Sequence, residues 1–201
     1  MEFVMYFNLL TILIFGLIWI SIITFFRLKR EKSLIYLVFF TIFYVYVIKV
    51  LDYTLFQFQS LLFLKYFVPN IILQGQTAGA NINITPLITL TLNDLKTSLL
   101  NILLLIPFGF GLPFITNLRM KKVIVIGVLL SIAIEFLQLI TGFIAKITFR
   151  IADINDIIWN TVGVTIGYIL FIGFALICRH IFYNSSNPIL RYIAKRPQID
   201  K

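Results

Sequence analysis

A polar stripe inside an apolar segment is the chain's best candidate for chemistry. It consists of Asp153, Asp156, Asn160, Gly163 and Gly167. The intervals of three, four, three and four residues place all five on one face of a helix. Carboxylate and amide groups at membrane depth cost free energy, so they usually mark a functional site. The stripe therefore predicts an intramembrane site that binds a polar group or transfers a proton.

Other apolar segments also carry polar side chains. Glu135 and Gln138 share a helix face, Asn101 lies near the start of its segment, Lys49 near the end of another, and Arg150 precedes the stripe. At about 1.5 Å of rise per residue, these groups fall in one layer near one membrane surface. A central charge costs about 2.5 to 3.5 kcal/mol on the insertion scale, which disfavours scattered charges. We therefore expect a shared polar pocket in which Arg150 pairs with a carboxylate.

The composition is that of an integral membrane protein. Of 201 residues, 60% are hydrophobic and 12% are charged, and the mean hydropathy is +1.00. The net charge of +9 does not indicate nucleic-acid binding, because the basic residues form short runs beside apolar segments. A single cysteine rules out an internal disulfide, and no spacing typical of a metal site occurs, so we expect neither a metal nor another cofactor.

Five apolar segments are long enough to span a bilayer, which predicts an all-α membrane protein. They cover residues 3–26, 34–51, 99–115, 123–140 and 157–178. Residues 1–52 form a pair of N-terminal spans, 53–96 an external region, 97–178 a three-helix core and 179–201 a basic tail. Within the external region, residues 53–68 suggest an interfacial or re-entrant helix, with a sixth span as the alternative, and residues 70–96 a loop.

The lysines and arginines set the expected orientation. Twelve of the seventeen lie in three groups, at residues 27–32, at 119–122 and from 179 onward. The groups follow the first, third and fifth spans, so all three lie on one side of the membrane, which we assign to the cytoplasm. The N-terminus is then external, the C-terminus is cytoplasmic, and the polar pocket opens to the outside.

The third span contains two prolines and two glycines between Pro107 and Pro113, which should break or kink the helix. Gly109 and Pro107 there, and Gly163 and Gly167 in the fifth span, are interpreted as helix-packing positions.

Several polar residues also have purely structural interpretations. Asp153 and Asp156 could cap the fifth helix, and Asn160 could act as an interhelical hydrogen-bonding group, like Gln138. Lys49 could extend its ammonium group to the membrane surface.

The chain resembles the VanZ-like family of bacterial membrane proteins. The family's pattern reads here as Asn83 to Pro86, Asn101 with Pro107-Phe108-Gly109, Glu135 with Gln138, and Arg150 with Asp153, Asp156, Asn160 and Gly163. These motifs cover about residues 80 to 170, in the expected order. The resemblance implies a bacterial plasma-membrane protein of the cell envelope, associated with resistance to the glycopeptide teicoplanin.

The leading hypothesis is a binding protein for an amphiphile at the outer leaflet, either a lipid-linked cell-wall precursor or a lipophilic glycopeptide. Seven residues form the expected ligand site: Asn101, Glu135, Gln138, Arg150, Asp153, Asp156 and Asn160. One alternative is a hydrolase or transferase acting on a lipid head group, with Glu135 and Asp156 as acid and base. Another is proton-coupled transport, for which five spans would need a homodimer, through Gly163 and Gly167. Membrane lipids are the other expected partners.

Overall fold

The computed structural model describes residues 9–56, 82–86, 92–145, 151–183 and 185–196. In these ranges five helices are long and apolar enough to cross a membrane. They are α1 (Leu9–Leu28), α2 (Leu34–Leu51), α3 (Leu92–Ile115), α4 (Met120–Ala145) and α5 (Ile154–Phe182). This confirms the predicted all-α membrane fold and each of the five predicted spans.

Four shorter elements lie at the ends of these helices. A π-helix, Asp52–Phe56, continues α2, and the two-residue strands β1 (Ile82–Asn83) and β2 (Ala152–Asp153) precede α3 and α5. A last helix, α6 (Pro188–Ala194), follows α5. Residues 57–68, most of the predicted interfacial or re-entrant helix, lie outside the described residues.

The helix directions define two ends of the bundle. The polar end is where α2 and α4 finish and where α3 and α5 begin. The basic end is the opposite one, where α1, α3 and α5 finish and where α6 lies. The described residues of the three basic groups belong to the basic end, and the described residues of the predicted ligand site belong to the polar end.

The helix boundaries differ from the predicted ones at the ends of the last three spans. Helix α3 begins at Leu92, seven residues before the predicted start of its span, and so takes residues 92–96 from the predicted loop. Hydropathy could not find this start, because Asn93, Asp94 and Lys96 interrupt the apolar run while a helix accommodates them in its first turns. Helices α4 and α5 extend beyond their apolar segments for the same reason.

The core of the bundle is a close, parallel contact between α3 and α5, which we call the glycine seam. Gly163 lies against the carbonyl group of Ile102, Gly167 against that of Ile106, and Gly109 against that of Val164. A Cβ atom at any of the three would overlap that backbone. Close approach of two helix backbones is what small residues permit in membranes. In this structure Gly163 and Gly167 therefore contact the chain's own third span.

The remaining spans surround this pair. Helix α4 packs through Gly127 onto the side chain of Val164. Helix α2 packs its aromatic face on α3, with the rings of Phe43 and Phe108 5.5 Å apart. The outermost helix, α1, is joined to α2 by the hydroxyl of Tyr44, which donates to the Phe15 carbonyl at 2.8 Å.

Helix α3 continues through both prolines without a break. Of the two outcomes expected from the sequence, a break or a kink, the break does not occur. Pro107 has no N–H, so one backbone hydrogen bond is missing at this point of the helix. The neighbouring carbonyl of Leu104 accepts a 2.6 Å hydrogen bond from the hydroxyl of Tyr46 on α2. Tyr46 thus joins α2 to α3 beside the proline, whereas the carbonyl that loses its helical donor to Pro107 is that of Leu103.

Candidate functional site

The polar end is organised around Asp153, the residue that precedes α5. β1 and β2 pair in parallel, with Asn83 opposite Asp153. The side-chain amide of Asn83 donates to Asp153 Oδ1 at 3.0 Å. The same oxygen accepts the Asn155 backbone N–H at 2.8 Å, which makes Asp153 the N-cap of α5. One carboxylate therefore begins a transmembrane helix and attaches the segment 82–86 to it.

Glu135 connects α4 to this cap. Its Oε2 accepts the backbone N–H of Asp153 at 3.1 Å, and its side chain is buried, with 6% of the residue exposed. A carboxylate that accepts a backbone N–H at the start of a helix also complements the helix dipole. Glu135 thus faces the protein interior and lies next to Asp153, the first residue of the stripe.

Gln138, one turn further along α4, connects that helix to α2. Its Nε2 donates to the backbone carbonyl of Thr54 at 3.1 Å. Gln138 and Thr54 are both buried, and the hydroxyl of Thr54 donates a hydrogen bond to the carbonyl of Val50. The end of α2 is therefore held at the same level as Glu135.

Asn160 and Asn101 lie deeper, on either side of the glycine seam. Asn160 Nδ2 donates to Ser131 Oγ on α4 at 2.7 Å, and both residues are buried, at 2% and 0% exposure. Asn101, on α3, is 8% exposed. It precedes Ile102, whose carbonyl contacts Gly163, so the two asparagines lie on opposite helices of the seam, each near this contact in sequence.

These two amides have unused hydrogen-bonding capacity. Within the described part of the chain, Asn101 Nδ2 and Asn160 Oδ1 are buried and have no hydrogen-bond partner. One atom is a donor and the other an acceptor. Buried polar atoms are nearly always satisfied by protein, water or a ligand, so this pair calls for an additional group.

The other predicted site residues occupy different surroundings. Asp156 lies half-buried in the first turn of α5, and Lys49 is largely exposed and pairs with Asp52 at 3.2 Å. Arg150 lies outside the described residues. Pro107, Gly109, Gly163 and Gly167 lie lower, along the glycine seam or beside it.

Sequence reasoning overlooked two residues of the polar end. Ser131 lies one turn before Glu135 on the same face of α4, so its spacing was an available signal. Thr54 gave no signal, because its contribution to Gln138 is a backbone carbonyl.

Together the described groups form a site that can bind a partner through hydrogen bonds and charge. Its polar groups are carboxylates and amides, with the hydroxyl of Ser131 bound to an amide. No cluster of three histidine, cysteine, aspartate or glutamate side chains suited to a metal ion occurs among the residues described.

The fold and this site define a multi-pass helical membrane protein with a buried polar layer at one end of its bundle. The chain belongs to the VanZ/LLP1 family, whose sequence model matches residues 3–179. This confirms the resemblance inferred from residues 80 to 170 and extends it over both N-terminal spans. No curated protein and no solved structure matches the chain.

Proposed function

We propose that the polar end binds the head group of an amphiphile at the outer leaflet, without covalent chemistry. The ligand is a lipid-linked envelope precursor or a lipophilic glycopeptide, and binding it links the protein to teicoplanin resistance. The observation that carries the proposal is the pair of unsatisfied atoms, Asn101 Nδ2 and Asn160 Oδ1. Peptide and sugar groups of either ligand class offer the matching acceptors and donors.

The charged residues at the polar end support the same ligand class. Glu135 and Asp153 are anchored to the backbone at the start of α5, which fixes their position near the amides. Fixed carboxylates can accept hydrogen bonds from amines or hydroxyls of a ligand, and Arg150 would attract an anionic group. The outward orientation rests on the distribution of basic residues, which puts the basic end in the cytoplasm.

Four variants test the proposal: Asn101→Leu, Asn160→Leu, Glu135→Gln and Arg150→Gln. Each is expressed at equal membrane abundance in a teicoplanin-sensitive host, and the inhibitory concentration of teicoplanin is measured. We expect protection to fall to the level of the empty vector in at least the two asparagine variants. Thr165→Val is the matched control, because its hydroxyl bonds to the Thr161 carbonyl of its own helix, away from the polar end.

A direct binding measurement separates this role from the alternatives. Purified protein in nanodiscs is titrated with fluorescent teicoplanin and, separately, with a labelled lipid-linked precursor. Saturable binding that is lost in Asn160→Leu supports the proposal. Wild-type affinity in both asparagine variants would contradict it, and so would conversion of the labelled precursor to a new product, which would indicate an enzyme.

A further inference from the structure

A buried arginine without a carboxylate partner lies at the basic end, far from the site described above. Arg196 follows α6 and is 8% exposed. Its guanidinium donates to the Tyr192 hydroxyl at 2.7 Å and to Asn117 Oδ1 at 3.3 Å, and it lies over the Tyr192 ring. In the described part of the chain no carboxylate pairs with it, and its buried Nε has no hydrogen-bond partner.

The surroundings of Arg196 are basic. Tyr36, at the start of α2, lies within electrostatic range of the guanidinium, and Lys32 places its ammonium group 5.0 Å from the centre of the Tyr36 ring. Arg27 donates to the Lys32 carbonyl. Glu31, the acid that precedes Lys32, is exposed, and Asp200, four residues after Arg196, lies outside the described residues. A buried cation surrounded by other cations and neutral groups is costly unless an anion joins it.

An apolar groove begins beside this cluster and runs toward the middle of the bundle. We call it the aromatic groove; it has a volume of about 320 Å³ and lies between α2, α3, α5 and α6. Its lining includes Phe39, Phe43, Phe110, Phe114 and Ile193. Ile193 belongs to α6, and Phe39 stacks on Tyr192 with ring centres 5.5 Å apart, so the groove lies next to the arginine cluster.

We propose that the basic end holds one anionic phospholipid, with its phosphodiester on Arg196 and an acyl chain in the aromatic groove. The two features have the order that a lipid needs, because the cationic group lies at the membrane surface and the apolar groove extends inward from it. The guanidinium keeps N–H groups beyond the two that are used, and guanidinium groups bind phosphate in a bidentate manner. Arg196 and Ile193 lie after the family match, which ends at residue 179, whereas the rest of the groove lining lies within it.

The proposal is tested with the delipidated full-length protein in detergent. Native mass spectrometry measures binding of dioleoyl phosphatidylglycerol and of the zwitterionic dioleoyl phosphatidylcholine. We expect one tightly bound phosphatidylglycerol and an affinity about tenfold lower for phosphatidylcholine, because its choline group would bring a second positive charge next to Arg196 and Lys32. Arg196→Gln should remove this preference, while Lys122→Gln, which removes an exposed charge of the same end, should keep it.

A groove variant keeps the test decisive if Arg196→Gln does not fold. Ile42 lines the groove but is 62% exposed, so Ile42→Trp narrows the groove without disturbing the core. It should weaken phosphatidylglycerol binding, whereas Val45→Trp, outside the groove lining on the same helix, should not. Equal binding of both lipids, unchanged binding in Arg196→Gln or Ile42→Trp, or displacement of the lipid by inorganic phosphate alone would overturn the proposal.

Discussion

Replacing Gly167 with alanine is the sharpest test of the α3–α5 contact that positions the polar end. The added Cβ would overlap the carbonyl oxygen of Ile106 and lie 2.8 Å from Phe110 N and 3.0 Å from Gly109 Cα. All of these atoms are backbone atoms, which cannot turn aside as a side chain can. The two helices must therefore separate, or α5 must rotate.

The cost follows from the size of that separation. Ordinary contacts between heavy atoms are about 3.5 Å or longer, so the added Cβ and the Ile106 carbonyl oxygen must move apart by more than about 1 Å. A radial gap of 0.5 to 1 Å loses about a quarter to a half of each contact's attraction, and overpacked cores typically lose about 1 to 3 kcal/mol. We expect Gly167→Ala to destabilise the protein by this amount.

Gly173→Ala is the matched control. Gly173 lies on the same helix, and a Cβ there would meet no atom within 4 Å. Both variants change the helix propensity equally, so the difference between them reports the seam alone. Equilibrium unfolding in mixed micelles, or the midpoint temperature of a fluorescent fusion on size-exclusion chromatography, measures that difference. Equal stability of Gly167→Ala and Gly173→Ala would refute the seam as the rigid core of the fold.

Three further predictions concern single contacts. Ser131→Ala should lower the free energy of unfolding by about 0.6 kcal/mol and at most by about 1.7 kcal/mol, the range for interhelical hydrogen bonds in membranes. In an Asn160→Leu background the same substitution should have no effect, and full additivity in this double-mutant cycle would contradict the contact. Glu135→Leu should lower the free energy of unfolding by about 1 to 3 kcal/mol, because the Asp153 N–H loses its acceptor, and Glu135→Gln should lower it less. Equal losses of the two variants in equilibrium unfolding would contradict this contact. Burial raises the pKa of Tyr192, so its neutral hydroxyl stabilises the folded protein fully below a pH of about 10, and this stabilisation is lost as the pH rises through the raised pKa. The unfolding midpoint of Tyr192→Phe should therefore fall less at alkaline pH than that of the wild type.

The sequence predicted the number of spans and most of the polar layer for one physical reason. Polar residues are rare in apolar segments. When several segments carry them at the same depth, contact between those residues is the expected reason. Glu135 and Asp153 were identified in this way, and the structure brings them to 3.1 Å. The same reasoning could not find contacts that use the backbone, such as the Thr54 carbonyl beside Gln138.

The basic end was outside the reach of this reasoning. In the sequence Arg196 is one of several basic residues of the tail, which indicate the orientation of the protein in the membrane. Counting charges does not distinguish Arg196 from the other basic residues. Only the turn of the chain at α6 buries it against Tyr192 and Asn117. Burial of a charge depends on the docking of a short helix, and no periodicity in seven residues encodes that docking.

The two kinds of contact at the polar end determine which helix can move when a ligand binds. Helices α3 and α5 touch through backbone atoms along the glycine seam, so Asn101 and Asn160 keep their separation. Helix α4 is attached to α5 near these amides by side-chain hydrogen bonds, from Asn160 to Ser131 and from the Asp153 N–H to Glu135. Such bonds are weak individually and can be exchanged for bonds to a ligand. If a ligand binds there as proposed, we therefore expect α4 to move away from the two amides, while the α3–α5 pair remains a fixed support.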